Sequence, residues 1–215
     1  MDNIPKKTTR HDYGIPTTRA GYNYLTESEE KKLFSTMRNR KENQAERDYV
    51  LLKTCRLLGL RRAEALSLNV GDIREKTQLL VDKRICRKNA EGELYLPMEL
   101  QTIYRRFLLL KRRWGEKTFD HSPLFVSKKG NRLSLRAFND VMTKWCAVAG
   151  IPPYTPHALR HTKGQRIMAD IHILSQEEAA KKLLFANQQL RHKSMGSTLI
   201  YTTPTKEEMQ KVGAI

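Results

Sequence analysis

Residues able to handle a phosphodiester stand together in one late stretch of the chain. Thr155-Pro156-His157-Ala158-Leu159-Arg160-His161 opens it, and Leu190-Arg191-His192, followed by Tyr201, closes it. Thr155 suits a helix N-cap and Pro156 the first helical position. A helix beginning there sets His157 and Arg160 three residues apart, on one face of its first turn. Its leading backbone N–H groups favour an anion, so the spacing predicts a phosphate seat with a histidine and an arginine aimed at it. Nine residues beyond His192, Tyr201 offers a hydroxyl that could act as a nucleophile. Each residue alone has a plainer use, as a helix-end histidine or a packing tyrosine. The order and spacing together carry the reading.

The elements that must position these residues are mostly helical. Thr26 with Glu29 forms a capping box for a helix to about Met37. A second helix runs from about Arg47 to Leu58 and stops at Gly59. Leu60 to Leu68 reads as a short helix ending in the Asn69–Asp72 turn. Gln78 to Arg87 and Glu93 to Leu96 read as strands joined through Asn89–Gly92, a hairpin that Pro97 terminates. Met98 to Trp114 is a long helix with Ile103, Tyr104, Phe107 and Leu110 inward. Its arginine face (Arg105, Arg106, Arg112, Arg113) is either solvated or laid along DNA. Lys128, Lys129 and Arg132 mark a basic loop. Ser134 opens a helix that Gly150 closes. Ser175 with Glu178 is another capping box, opening a helix to about Leu190. A small helix is expected over 206–212. The fold class expected is mainly α (α+β), with a small antiparallel hairpin.

Composition narrows the partner. The 215 residues carry 40 Lys+Arg against 23 Asp+Glu, a net charge of +17. That is the electrostatic footprint of a nucleic-acid binder. The N-terminus lacks an apolar signal core, and no apolar run approaches a membrane span. Cys55, Cys86 and Cys146 are odd in number and far apart, which suits a reducing, cytoplasmic interior. With no paired-cysteine or H-E-x-x-H pattern, no zinc site is expected.

With the order established, an earlier segment joins the late one. Gly59-Leu60-Arg61-Arg62-Ala63-Glu64-Ala65-Leu66-Ser67-Leu68, then Gly71-Asp72-Ile73, resembles the first arginine box of the tyrosine recombinases, the phage integrase family. His157-Ala158-Leu159-Arg160-His161 resembles the second box, and Leu190-Arg191-His192 with Tyr201 the third histidine and nucleophile. The usual glycine before that histidine is Arg191 here. The resemblance covers roughly residues 25 to 205.

What it implies is a helical catalytic domain that cuts and rejoins DNA strands through a 3′-phosphotyrosyl link, for integration, excision or inversion. No cofactor, metal or ATP is implied. The residue types fit this chemistry. Arg61 and Arg160 would clamp the non-bridging oxygens with forked donors. A tyrosine hydroxyl, with a pKa near about 10, needs a base, and His157 is the candidate. His192 would donate to the phosphate. Glu64 would hold Arg61, or forms a plain surface ion pair three residues along the helix. The family places a lysine on the following hairpin as general acid. Lys88, just before the turn, is assigned that role over Lys83. Arg62, Lys128, Lys129, Arg132 and His161 are assigned to DNA contacts.

The expected partners are double-stranded DNA with paired recombination sites, further copies of the chain in a tetramer, and accessory DNA-bending proteins. The expected division is a basic arm over 1–23 and a catalytic domain over 24–215, without the N-terminal helical domain usual in the family. The stretch between Arg160 and His192 is longer than usual, so an insertion is expected around 170–180. Residues 202–215 are expected either to dock on a neighbouring protomer or to fray. Two alternatives remain: a type IB topoisomerase, and a non-catalytic DNA-binding regulator on the same scaffold.

Overall fold

The computed structural model describes residues 23–38, 40, 42–74, 78–81, 92–192 and 194–202. Along the chain lie α1 (Glu27–Arg38), α2 (Asn43–Leu58), α3 (Arg62–Ser67), β1 (Ile73–Arg74), β2 (Gln78–Val81) and β3 (Gly92–Tyr95). They are followed by α4 (Met98–Arg113), α5 (Leu135–Ala149), α6 (Pro156–Met168), α7 (Gln176–Leu190) and α8 (Gly196–Leu199). Short 3-10 turns cover Val70–Asp72 and Ile171–Ile173. The chain is thus mainly helical with one small sheet, as the sequence predicts.

Helix α2 is the central strut, packed against α1, α4 and α6. Val50, Leu51, Leu52 and Leu58 are fully buried on it. It begins at Asn43, a turn before the predicted Arg47, and its N-cap Glu42 makes no side-chain cap. Tertiary burial of Ala45 and Asp48 holds that extra turn. Asp48 accepts from the indole Nε1 of Trp145 at 2.9 Å and so pins α5 to α2. At Gly59 the backbone is left-handed (φ 68) and a Cβ would stand 2.6 Å from Leu190 Cδ2. Glycine therefore both ends α2 and lets α7 approach it.

Two capping boxes behave as predicted. Thr26 and Glu29 bond each other's backbone N–H groups ahead of α1, and Ser175 and Glu178 do the same for α7. Ser134 caps α5 through Ala137 N–H. Thr155 does occupy the N-cap position of α6 with Pro156 following, but its side chain makes no cap hydrogen bond.

The sheet has strand order β1-β2-β3, all antiparallel, with Ile73 opposite Leu79 and Leu79 opposite Leu94. Leu79 and Leu94 turn inward. Strand β1 was not predicted; two residues are too few to show alternation. Strand β3 starts one residue earlier than the predicted Glu93. The turn at 89–91, Lys83, Cys86, Arg87 and Lys88, the 1–22 arm, and the tail with its expected helix over 206–212 lie outside the described residues. The region expected to hold an insertion contains the 3-10 turn Ile171–Ile173, entered through Asp170 at φ 64.

Two apolar clusters form. The large one fills the space between α1, α2, α4, α5 and the sheet. A smaller one lies between α6 and α7: Ile167, Met168, Ile171, Ala186, Leu190 and Tyr201. The segment ahead of α1 is tied to α6, because Leu25, itself 1% exposed, donates its backbone N–H to Thr162 Oγ1 at 2.9 Å. Arg166 pairs with Glu27 alongside. Among the described residues no helix is long and apolar enough to cross a membrane.

Candidate active site

Arg61, His157, Arg160, His161, His192 and Tyr201 line one cleft of about 370 Å³. Four separate places in the fold supply them. Arg61 is the N-cap residue of α3, and His157, Arg160 and His161 come from the first turns of α6. His192 follows the C-cap of α7, and Tyr201 follows α8.

The arginines do different things. Glu64 reaches back to Arg61 twice: Oε2 accepts from the backbone N–H at 2.8 Å, and Oε1 from Nη1 at 3.2 Å. The Arg61 side chain stays one-third exposed, while Glu64 is buried. This is more than a surface pair, since the carboxylate caps α3 and holds the arginine at once. Arg160 is 2% exposed. Its Nη1 donates to Gly59 O and its Nη2 to Leu190 O, both at 2.5 Å. It thereby staples the start of the Arg61 segment to the end of α7. Each terminal nitrogen keeps a second N–H. Burial, and then the Arg61 guanidinium, push its pKa down to about 10, so it stays charged at neutral pH.

Tyr201 is 3% exposed, and its hydroxyl lies 2.9 Å from His161 Nδ1. His192 stacks nearly parallel to its ring, with 6.3 Å between centroids. His157 meets His161 edge to face at 5.2 Å. Gly164 on α6 floors the seat. Burial is the main cause of low pKa values in all three histidines. His161 is pushed down to about 3, also by His157 and Arg160, and His192 to about 4, also by Arg160 and Arg61. His157 is lowered by burial, then Arg160 and Arg61. All three are neutral near pH 7.

Hydrogen bonds orient the His192 ring. Asn187 Nδ2 donates to Thr198 Oγ1 at 3.1 Å, and Thr198 Oγ1 lies 2.9 Å from His192 Nδ1. With Nδ1 engaged by Thr198, Nε2 is the ring nitrogen of His192 left for another partner.

The site differs from the sequence reading in several places. His161, expected to contact DNA, is 6% exposed and turned to Tyr201, because one step past Arg160 rotates it into the gap between α6 and α8. His157, expected at the tyrosine hydroxyl, lies beyond His161 instead. Arg132 directs its guanidinium to Leu66 O, Leu68 O and Asn69 Oδ1, so it secures a loop rather than reaching outward. Arg62 bonds Asn139 at an exposed position. Lys128 and Lys129 sit exposed on a turn whose Gly130 has φ 77. Lys88 lies outside the described residues. Gly164, Thr198 and Asn187 were missed, and no local pattern in the sequence marks them. Arg191 was noticed as a departure from glycine but given no role.

A family model described as the phage integrase family matches residues 23–208. Among curated proteins, the tyrosine recombinase XerC of Herpetosiphon aurantiacus is 26% identical over 167 residues, covering 77% of this chain and 50% of that protein. The tyrosine recombinase XerC of Alcanivorax borkumensis is 29% identical over 158 residues, covering 73% and 47%. The chain therefore spans about half the length of the curated relatives it matches. Among solved structures, that of XerA recombinase aligns with a TM-score of 0.69 at 22% identity, over 99% of this chain and 66% of that one. The XerH site-specific recombinase bound to its difH substrate aligns with a TM-score of 0.65 at 18% identity, over 89% and 52%.

Proposed function

Because the chain belongs to the phage integrase family, we propose that it is the catalytic part of a site-specific DNA recombinase. In this reading it cleaves and rejoins strands through a 3′-phosphotyrosyl intermediate. The single observation that carries the proposal is the convergence of Arg61, His157, Arg160, His192 and Tyr201 on one cleft.

The roles follow from charge and reach. Arg61 and the spare N–H groups of Arg160 bind the non-bridging oxygens, where charge builds in the transition state. His192 adds Nε2–H to the same phosphate. The oxygen of Tyr201 attacks phosphorus, the bond to the 5′-oxygen breaks, and that oxygen leaves as a hydroxyl after receiving a proton. Lys88, by its place in the sequence, supplies that proton. The proton of Tyr201 goes to a neutral histidine. His161 stands at the hydroxyl, but a pKa pushed down to about 3 makes it too weak a base. His157, the next imidazole out and in ring contact with His161, is the base assigned to take the proton, and His161 holds the ring in place. Attack by another strand's 5′-hydroxyl reverses the step. The bond energy stays in the phosphotyrosyl link, so neither metal nor ATP is invoked.

The partners in this reading are duplex DNA carrying paired sites and further copies of the chain, a tetramer on DNA, with accessory bending proteins and a cytoplasmic location. Lys128 and Lys129 are the surface cations proposed to meet the backbone. The test is a nicked suicide substrate. Wild-type protein should give an SDS-resistant adduct, and Tyr201→Phe should bind DNA yet give none. An adduct from that variant overturns the assignment. Joining between two duplexes separates recombination from simple relaxation.

A further inference from the structure

Arg191 occupies a position built for glycine. It caps α7 with φ 51 and ψ 51, the left-handed region that strains a residue with a Cβ. Its side chain nevertheless turns inward, 5% exposed, and Nη2 donates to Glu64 Oε2 at 2.6 Å. The same oxygen accepts the backbone N–H of Arg61, and its twin accepts Arg61 Nη1. Arg191 Nε and Nη1 meet no acceptor among the described residues. A strained backbone and two buried unsatisfied donors both count against the side chain. The contact with Glu64 is the compensation on view.

The tie is not needed merely to join the two segments. Arg160 already bridges them, through Gly59 O on one side and Leu190 O on the other. Arg191, the residue after Leu190, adds a second bridge that crosses to Glu64 on α3, and it ends on the carboxylate that carries Arg61. A carboxylate held from two directions is restrained, and it restrains in turn the guanidinium bonded to it. Arg191 also immediately precedes His192. One residue thus links the two cleft donors that come from α3 and from the end of α7.

We propose that Arg191 is a positioning residue, which acts through Glu64 to fix the guanidinium of Arg61 at a set distance from His192. The inference rests on the phosphodiester reading of the cleft. Arg191 brings a third guanidinium toward a cleft whose arginines are balanced by Glu64. The carboxylate is then committed to holding.

The experiment compares Arg191→Gly, Arg191→Lys, Glu64→Gln and the Arg191→Gly/Glu64→Gln double variant. It uses the full chain, with the nicked suicide substrate at saturating protein. Glycine accepts the left-handed backbone, so Arg191→Gly should fold. Its single-turnover adduct rate should fall roughly tenfold or more while DNA affinity stays within about twofold. Glu64→Gln should lose a similar factor, and the double variant should be no slower than the worse single one, because both break one connection. Arg191→Lys keeps the charge and should recover part of the rate; it also serves if the glycine variant fails to fold. A wild-type rate in Arg191→Gly, losses that multiply in the double variant, or a parallel loss of DNA affinity would each overturn the proposal. Failure of the wild-type protein to form an adduct would instead overturn the recombinase reading.

Discussion

Gly164 lies directly under the ring of Tyr201: a Cβ built there would stand 2.5 Å from Cζ and 2.7 Å from both Cε atoms. The seat of the tyrosine is thus set by the absence of one methyl group. Gly164→Ala should drive the ring off His161. A stability loss of about 1–3 kcal/mol is expected, as for overpacking elsewhere. Tetranitromethane should nitrate Tyr201 faster in the variant than in wild type, read by peptide mass spectrometry. Equal nitration and an equal melting curve would show that the seat is not tight.

Arg160→Lys should be far from conservative. A single ammonium cannot reach Gly59 O and Leu190 O in the geometry that the fork spans. One buried carbonyl then loses its donor, at about 1–3 kcal/mol in urea unfolding. Adduct formation should drop by roughly 10²–10³ through the lost transition-state contacts. Retention of both stability and rate would refute the staple.

Acid should weaken the fold before the carboxylates titrate. His161 and His192 titrate near 6.5 when unfolded and at about 3 and about 4 when folded. The unfolded chain therefore binds protons first as pH drops. The contribution of these groups is complete above pH 6.5 and is lost as pH falls from 6.5 to about 4 for His192 and about 3 for His161. Each histidine can add a slope of up to about 1.4 kcal/mol per pH unit in that window. Melting temperatures at pH 7, 6 and 5 should fall progressively, and His161→Asn should flatten the fall. A flat wild-type profile would contradict the buried neutral cluster.

Lys88 is assigned as general acid from its place in the sequence. Lys88→Ala should be slowed roughly 10²–10⁴-fold on normal DNA. A bridging 5′-sulfur leaves as a thiolate and needs no acid, so the variant should cleave that substrate near the wild-type rate. Lys83→Ala should show no such rescue. The reverse pattern would move the role to Lys83.

Much of the frame was legible because its signals are local. Pro156, Ser175 with Glu178, and Ser134 with Gly150 mark the helix ends that deliver His157, Arg160 and His192 to one place. What escaped depends on contacts made far along the chain. Helix α6 shows little apolar periodicity because Arg160, His161 and Thr162 are buried beside Ala158 and Leu159. Nothing local says that His161 turns to a tyrosine 40 residues on, or that Arg191 meets a glutamate 127 residues back. The aim of Arg160 at two backbone carbonyls is likewise a property of the joint between segments. The arginine's own neighbours do not encode it.

The hydrogen bond from Leu25 to Thr162 places the front of the described chain mechanically in series with the tyrosine. Thr162 sits next to His161, which holds the hydroxyl, and two residues before Gly164, which floors the ring. Arg166, pairing with Glu27, adds a second attachment one turn further on. A pull arriving along the backbone at residue 23 reaches α6 through Leu25 without first passing through α1. The front of the described chain is thereby moored to the helix that carries the tyrosine's seat.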